Sequence, residues 1–438
     1  MKKILSLILI IVMTLALCAC EVKIPASQSL ADNEQKNEKS FDKDIESLES
    51  SEIAKADAQS LDANYIAPAA NASNNLYGYV DLQGNWVVDA KYSATMPFTA
   101  EWGMILDDYS EYIVVDRNGN NVFSIYEKKT ISSVSHLSED CLIVALDNDQ
   151  VQKYIYLAKN LATMFNVTIL PKVAKRSYSS NGYFGLATPF VNGKSIAMRI
   201  KNSDLKKASD ADETAHIINK SGEILASFPS GVDPDEFGFD DNMRVIAKNR
   251  NNQYGLFDDA GKAIVECSYV RMLHCDGDLY LVCNSNGMWG YIDKNGNSVI
   301  DCQYQKAMPF SEGLAAVYDG THWGFVNEEG KYAIASMFDS VVASKAPYID
   351  ASLNAAFSNG VAVVEYQGSW VMINKQCKAL CAFKADTLKD PSVSPFGTPY
   401  NGYIAYSVYD GDETLYGLLT VDGKQVLEPQ FRDLGIFN

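Results

Sequence analysis

Apolar and polar positions along this chain repeat in a fixed phrase. In WGYIDKNGNSVIDCQY, residues 289–304, an aromatic-glycine pair opens a short apolar run, Asp293-Lys294-Asn295-Gly296 breaks it, and a second apolar run ends on a ring. The phrase returns as YGYVDLQGNWVVDAKY from Tyr77, YGLFDDAGKAIVECSY from Tyr254, WGFVNEEGKYAIASMF from Trp323 and YGLLTVDGKQVLEPQF from Tyr416. With the first ring as position zero, glycine stands at one, Asp or Asn usually at four, glycine at seven and a ring at fifteen. Two short apolar runs around Asp-x-x-Gly predict a β-hairpin, because Asp or Asn bonds its own backbone and glycine supplies positive φ. Glycine at position one lacks a Cβ, which lets a neighbouring ring or strand lie against the backbone.

Less regular copies fill the gaps. They begin at Tyr112, Tyr154, Ala215 and Trp370, and the Trp370 copy has Cys377 where glycine is expected. An upstream strand precedes each hairpin, clearest in Leu314–Tyr318 after Met308-Pro309-Phe310-Ser311-Glu312-Gly313, and echoed after Met96-Pro97-Phe98 and Ala355-Ala356-Phe357. Downstream, Phe338-Asp339-Ser340-Val341-Val342 is expected to add a short fourth strand. Each unit is then an antiparallel meander of three or four strands, and tandem units of this length build propellers or solenoids. The fold class expected is all-β, tandem antiparallel β-meander repeats, either propeller-like or an open β-solenoid. Closure is preferred because it removes exposed strand edges; an open array would need polar caps, for which Gln430-Phe431-Arg432-Asp433 is the one candidate.

The pattern resembles the WG-repeat, or KWG-repeat, family of bacterial surface and lipid-anchored proteins. Its structural positions here are Tyr77, Gly78, Gly84, Tyr254, Gly255, Gly261, Trp289, Gly290, Gly296, Trp323, Gly324, Gly330, Tyr416, Gly417 and Gly423. The resemblance implies a β-repeat scaffold linked to binding and supplies no catalytic motif. Rings at positions zero and fifteen are expected to stack between neighbouring units as core.

The N-terminus changes the picture. Lys2-Lys3 precede the apolar run Ile4–Leu17, which is too short to span a bilayer and reads as a signal peptide over residues 1–20. Leu17-Cys18-Ala19-Cys20 resembles a lipobox, which implies lipidation at Cys20 and an extracytoplasmic protein anchored to the bacterial cell membrane. Residues 21–70 hold eleven acidic and five basic residues with a single Phe, so a disordered acidic tether is expected there. Residues 71–438 form the repeat domain of about nine units.

A net charge of −18 argues against nucleic acid, whose phosphates call for a basic face. Cysteines beyond residue 20 are odd in number, Cys377 and Cys381 lack zinc spacing, and free buried thiols are expected. His136, His216, His274 and His322 form no metal or nucleophile motif, and His274-Cys275-Asp276 reads as the start of a turn rather than as chemistry. The runs at Asp233-Pro234-Asp235-Glu236 and Asp410-Gly411-Asp412-Glu413 do not match a calcium loop. No catalytic residue, metal or cofactor is assigned. The leading expectation is a non-enzymatic, lipid-anchored protein that presents a β surface to a protein partner. The alternative is a carbohydrate or cell-wall binding module using exposed aromatics, and a hydrolase subunit with its site in the insertions stands third.

Overall fold

The computed structural model describes residues 41–51, 53–57, 64–99, 102–106, 112–125, 130–134, 141–147, 152–158, 163–169, 188–198, 214–235, 238–343, 355–385, 388–390, 394–409 and 411–435. The signal peptide, Cys20 and residues 21–40 of the expected tether lie outside them. Residues 1–44 and 45–438 are separate compact units. The first is described only at 41–44, which is helical; everything below concerns the second.

Among the described residues every pairing between named strands is antiparallel, and there are eight sheets. Seven small ones, of three or four strands, are blades of a β-propeller. The blade around Trp289 shows the plan: Arg271–His274, Leu279–Cys283, Trp289–Asp293 and Ser298–Tyr304 follow one another in sequence and in space. The eighth sheet has six strands and joins the two ends of the repeat region. In it Gln425–Leu434 pairs with Thr414–Thr420 through its first half. Its last residues then pair with Ile66–Asn71, with Ala69 opposite Leu434 and Ala70 opposite Asp433. Arg432-Asp433-Leu434 therefore takes the first-strand place in the unit of Tyr77, and the ring is closed rather than open. The segment expected to cap an open end instead completes the first unit, because strand pairing satisfies backbone groups that a cap would leave to water. Likewise Ser340–Val341 is not a fourth strand of the Trp323 unit but the first strand of the next sheet.

The tether boundary expected at residue 71 also moves. Ile66–Asn71 is a buried strand in the six-stranded sheet. Further back, Gln425 donates its N–H to Ala54 O and accepts from Ala56 N, both at 2.7 Å, so Lys55 bridges the outer edge of that strand in parallel. Lys55 pairs with Glu428 at 2.8 Å, and Ile53 packs against the core between the last two units. Average composition over fifty polar residues concealed a few apolar ones that an open strand edge can use.

Unit-to-unit packing explains the repeat. At position two, Tyr79, Tyr291 and Phe325 are buried and meet Phe98, Phe310 and Phe357 of the following unit at ring separations of 4.8, 4.6 and 4.9 Å. These rings nest between units, and position-fifteen rings join them: Phe338 meets Tyr366 of the next unit at 6.3 Å, and Phe431 meets Trp86 across the closure at 5.9 Å. The zero and fifteen rings lie opposite each other within one hairpin, as Trp289 does with Tyr304 and Tyr416 with Phe431. Tyr77, Tyr254, Trp289, Trp323 and Tyr416 are all half-buried. A position-zero ring must cover the open end of its own hairpin, which leaves one face near water.

The two glycines divide their work. At position one the fourth strand bulges toward the glycine: a Cβ on Gly78, Gly255, Gly290 or Gly417 would lie within 2.6 Å of a carbonyl oxygen of that strand. A Cβ on Gly324 would lie 2.8 Å from Ser336. At position seven φ is positive and the glycine abuts the preceding unit, Gly296 on Val265, Gly330 on Ile300 and Gly423 on Leu380. Gly261 meets Ser227 in the same way, and Gly84, in the first unit, meets Leu427 in the last. The same contact thus runs across the closure.

Candidate functional site

Two sets of turns share one end of the blades: the Asp-x-x-Gly turns and the turns between first and second strands. The second set is built on left-handed pairs that make tight primed hairpins, Asn192-Gly193, Glu312-Gly313, Asn359-Gly360 and Asn401-Gly402. From the Tyr254 unit onward each such turn is tied to its neighbour. Asn242 Nδ2 donates to Gly277 O at 2.9 Å, and Asp276 Oδ2 accepts from Ser311 Oγ and from the Glu312 N–H. The Glu312 carboxylate accepts from the Gly360 N–H at 2.9 Å, and Asn359 Oδ1 accepts from the Gly402 N–H at 3.0 Å. The outer turns brace the inner ones: Lys375 pairs with Glu312 at 3.0 Å and Lys294 with Asp278 at 2.7 Å. Asp241, Asp276 and Asp278 remain exposed on this face. The outcome is a preorganised, acidic platform assembled from successive units.

Beneath it lies one buried polar cluster, held between the Tyr254 and Trp289 units. His274 ends a first strand and is 6% exposed; its Nδ1 stands 3.4 Å from Asp240 Oδ2 and its Nε2 3.7 Å from Asp235 Oδ2, the latter too long for a hydrogen bond. Asp240 Oδ2 also accepts from the Tyr280 hydroxyl, and its Oδ1 from the Arg244 N–H at 2.8 Å. Burial by itself would lower the imidazole pKa, but the two carboxylates outweigh it and raise it to about 10. Burial alone would raise Asp240, yet His274, Tyr280 and the Arg244 N–H hold it below the usual carboxylate range. Burial and the Asp240 charge push the Tyr280 phenol far up. An imidazolium between two carboxylates joins two blades electrostatically. It does not poise a base near neutrality.

The adjacent Cys275 is buried, and burial pushes its thiol up to about 12. It is a protonated core group, with no activated thiolate to act as nucleophile. Cys381 is likewise pushed up to about 12, and Cys267, Cys275, Cys283, Cys302, Cys377 and Cys381 are all free. Cys377 occupies the turn glycine's place with φ of 59°. His216 Nδ1 meets Ser227 Oγ at 2.8 Å, His322 belongs to the Asp319 turn, and His136 lies outside the described residues. Glu413 pairs with Arg432, whereas Glu236 and Asp410 lie outside the described residues. Among the described residues no group of three or more His, Cys, Asp or Glu is placed to hold a metal. Sequence reasoning did not find the turn-to-turn bonds or the His274 cluster. The signal it had was the recurrence of Ser-Glu-Gly-Leu and Ser-Asn-Gly-Val directly after a phenylalanine.

Residues 77–106, 289–320 and 323–344 match the family model described as a WG containing repeat. No curated protein matches the chain. Among solved structures, that of a eukaryotic initiation factor aligns with a TM-score of 0.52 at 9% identity, over 85% of this chain and 97% of that one, a likeness of fold alone. BamB from Moraxella catarrhalis aligns at 0.36 with 12% identity, over 75% and 92% of the two chains. The C-terminal WD40 domain of Sif2 aligns at 0.39 with 9% identity, over 75% and 97%.

Proposed function

The chain belongs to the family of WG-repeat proteins, and from that premise we propose that it is an exported, lipid-anchored, non-enzymatic binding protein that presents its first-turn face to a protein partner. The observation that carries the reading is the chain of bonds from turn to turn, Asp276 to Glu312, Glu312 to Gly360 and Asn359 to Gly402. Groups fixed before a partner arrives lose little freedom on binding, so a preorganised face suits recognition. Its exposed carboxylates favour a partner with basic side chains, and a net charge of −18 steers such a partner at long range. The anchoring half rests on the apolar run Ile4–Leu17 and the Leu17–Cys20 motif. Cys20 would carry the lipid, with the chain outside the bacterial cell membrane.

Both halves are testable in one bacterial expression experiment. An alkyne fatty-acid label should enter the wild-type chain and sediment with membranes, while Cys20→Ala should lose both label and sedimentation. A photo-crosslinking residue at Asp241, exposed on the same face, should join one defined protein, and Asp276→Lys with Asp278→Lys should abolish that adduct. Label without an adduct would remove the partner claim; an adduct without label would remove the anchor.

A further inference from the structure

We propose that the outer edge of the strand Ser298–Tyr304 is a docking site for an extended peptide of a partner protein, one that adds as a parallel strand and places a lysine or arginine against Asp301. This surface is separate from the first-turn face and does not rest on it. The chain supplies its own precedent. Gln425 stands at position nine of its unit, opposite Leu419 in the hairpin. Its N–H and C=O face outward and bind Ala54 O and Ala56 N. Lys55, between them, reaches Glu428 three residues further along the same edge.

The repeat places the same elements elsewhere. Ser298 is the position-nine residue of the Trp289 unit and lies opposite Ile292 in the register that Gln425 has with Leu419. Ser298–Tyr304 is the edge strand of its sheet. Asp301 takes the position of Glu428 and, like it, is exposed. Beside Ser298, Val299 is 43% exposed, an apolar side chain that a docked strand would cover. An apolar residue at position ten and an exposed carboxylate at position twelve recur in four units, with Asp89, Glu266, Asp301 and Glu428, but only in the Trp289 unit is the apolar residue, Val299, exposed. One copy is filled by residues 53–57. Strand addition takes affinity from main-chain bonds and selectivity from alternate side chains, so the filled copy gives the ligand chemistry for the Trp289 copy: a basic residue flanked by small or aliphatic ones.

The probe is a fluorescein-labelled synthetic peptide, Ser-Glu-Ile-Ala-Lys-Ala-Asp-Ala, copying residues 51–58, titrated into the full chain by fluorescence polarisation. A second version carries a photo-crosslinker in place of its first alanine. Adducts should map to residues 298–304, and Asp301→Lys should weaken binding by about tenfold or more. A peptide with glutamate for lysine should bind the wild-type chain about tenfold more weakly and recover on Asp301→Lys. Asp301 is exposed, so circular dichroism should be unchanged in that variant. Unchanged affinity for Asp301→Lys, failure of the charge swap to restore binding, adducts only at other edges, or no binding would each overturn the site.

Discussion

At the scale of single residues, a position-one glycine and a glycine of the turn between first and second strands do unequal work, and substitution should expose it. A side chain on Gly290 would place its Cβ 2.5 Å from Ile300 O, inside a bulge that no rotamer change relieves. Gly290→Val should destabilise by on the order of 3 kcal/mol or more, read as a lower urea midpoint or as failure to fold. Gly313 has φ of 83° and open space where a Cβ would go. Gly313→Ala should therefore cost only the left-handed strain, about 1–2 kcal/mol. Equal costs at the two positions would contradict the bulge as the reason for the first glycine. Turn glycines were legible in the sequence because positive φ is a local demand that local residues announce. The burial of Tyr79, Tyr291 and Phe325 was less so. A ring at position two and a phenylalanine nineteen or thirty-two residues later meet only once two units are stacked, and no local pattern distinguishes position two from the half-buried rings at position zero.

At the scale of elements, the His274 cluster makes the contact between two blades depend on pH. Its folded pKa, about 10, lies above the ordinary imidazole value of 6.5. Its contribution to stability is thus complete below about pH 6.5 and is lost as pH rises toward 10. Asp240 has the opposite sign: its folded pKa is depressed, so its contribution is present above the ordinary carboxylate value of 3.8 and is lost on acidification. Between pH 6.5 and 10 the wild-type melting temperature should fall more steeply than that of His274→Leu. If the two curves run parallel across that range, the imidazolium is not what joins the blades. A lone histidine followed by Cys275 and Asp276 read as a turn, and Asp276 does stand in one, bonded to the next turn. The imidazole's carboxylate partners lie more than thirty residues upstream, at Asp235 and Asp240, beyond what local spacing reveals.

At the scale of the whole molecule, closure decides how the chain behaves. An open repeat array frays from its ends, whereas a ring whose first unit borrows a strand from the last has no free terminus to fray. Repetition of the phrase was enough to establish an all-β repeat body. Whether the ends met was not legible, since Arg432-Asp433-Leu434 carries only a weak strand pattern and its partner, Ile66–Asn71, sits in a polar region. Truncation after Phe431 should lower the melting temperature and broaden the transition, while removal of residues 1–40 should leave both unchanged.

Closure itself is tested most directly by amide hydrogen exchange at residues 66–71, compared between the intact chain and the chain truncated after Phe431. A closed ring predicts slow exchange in the intact chain and a sharp loss of protection on truncation, with Trp289–Asp293 and Trp323–Val326 still protected. Equal exchange at residues 66–71 in the two chains would mean that Arg432–Leu434 does not complete the first unit, and that the array is open.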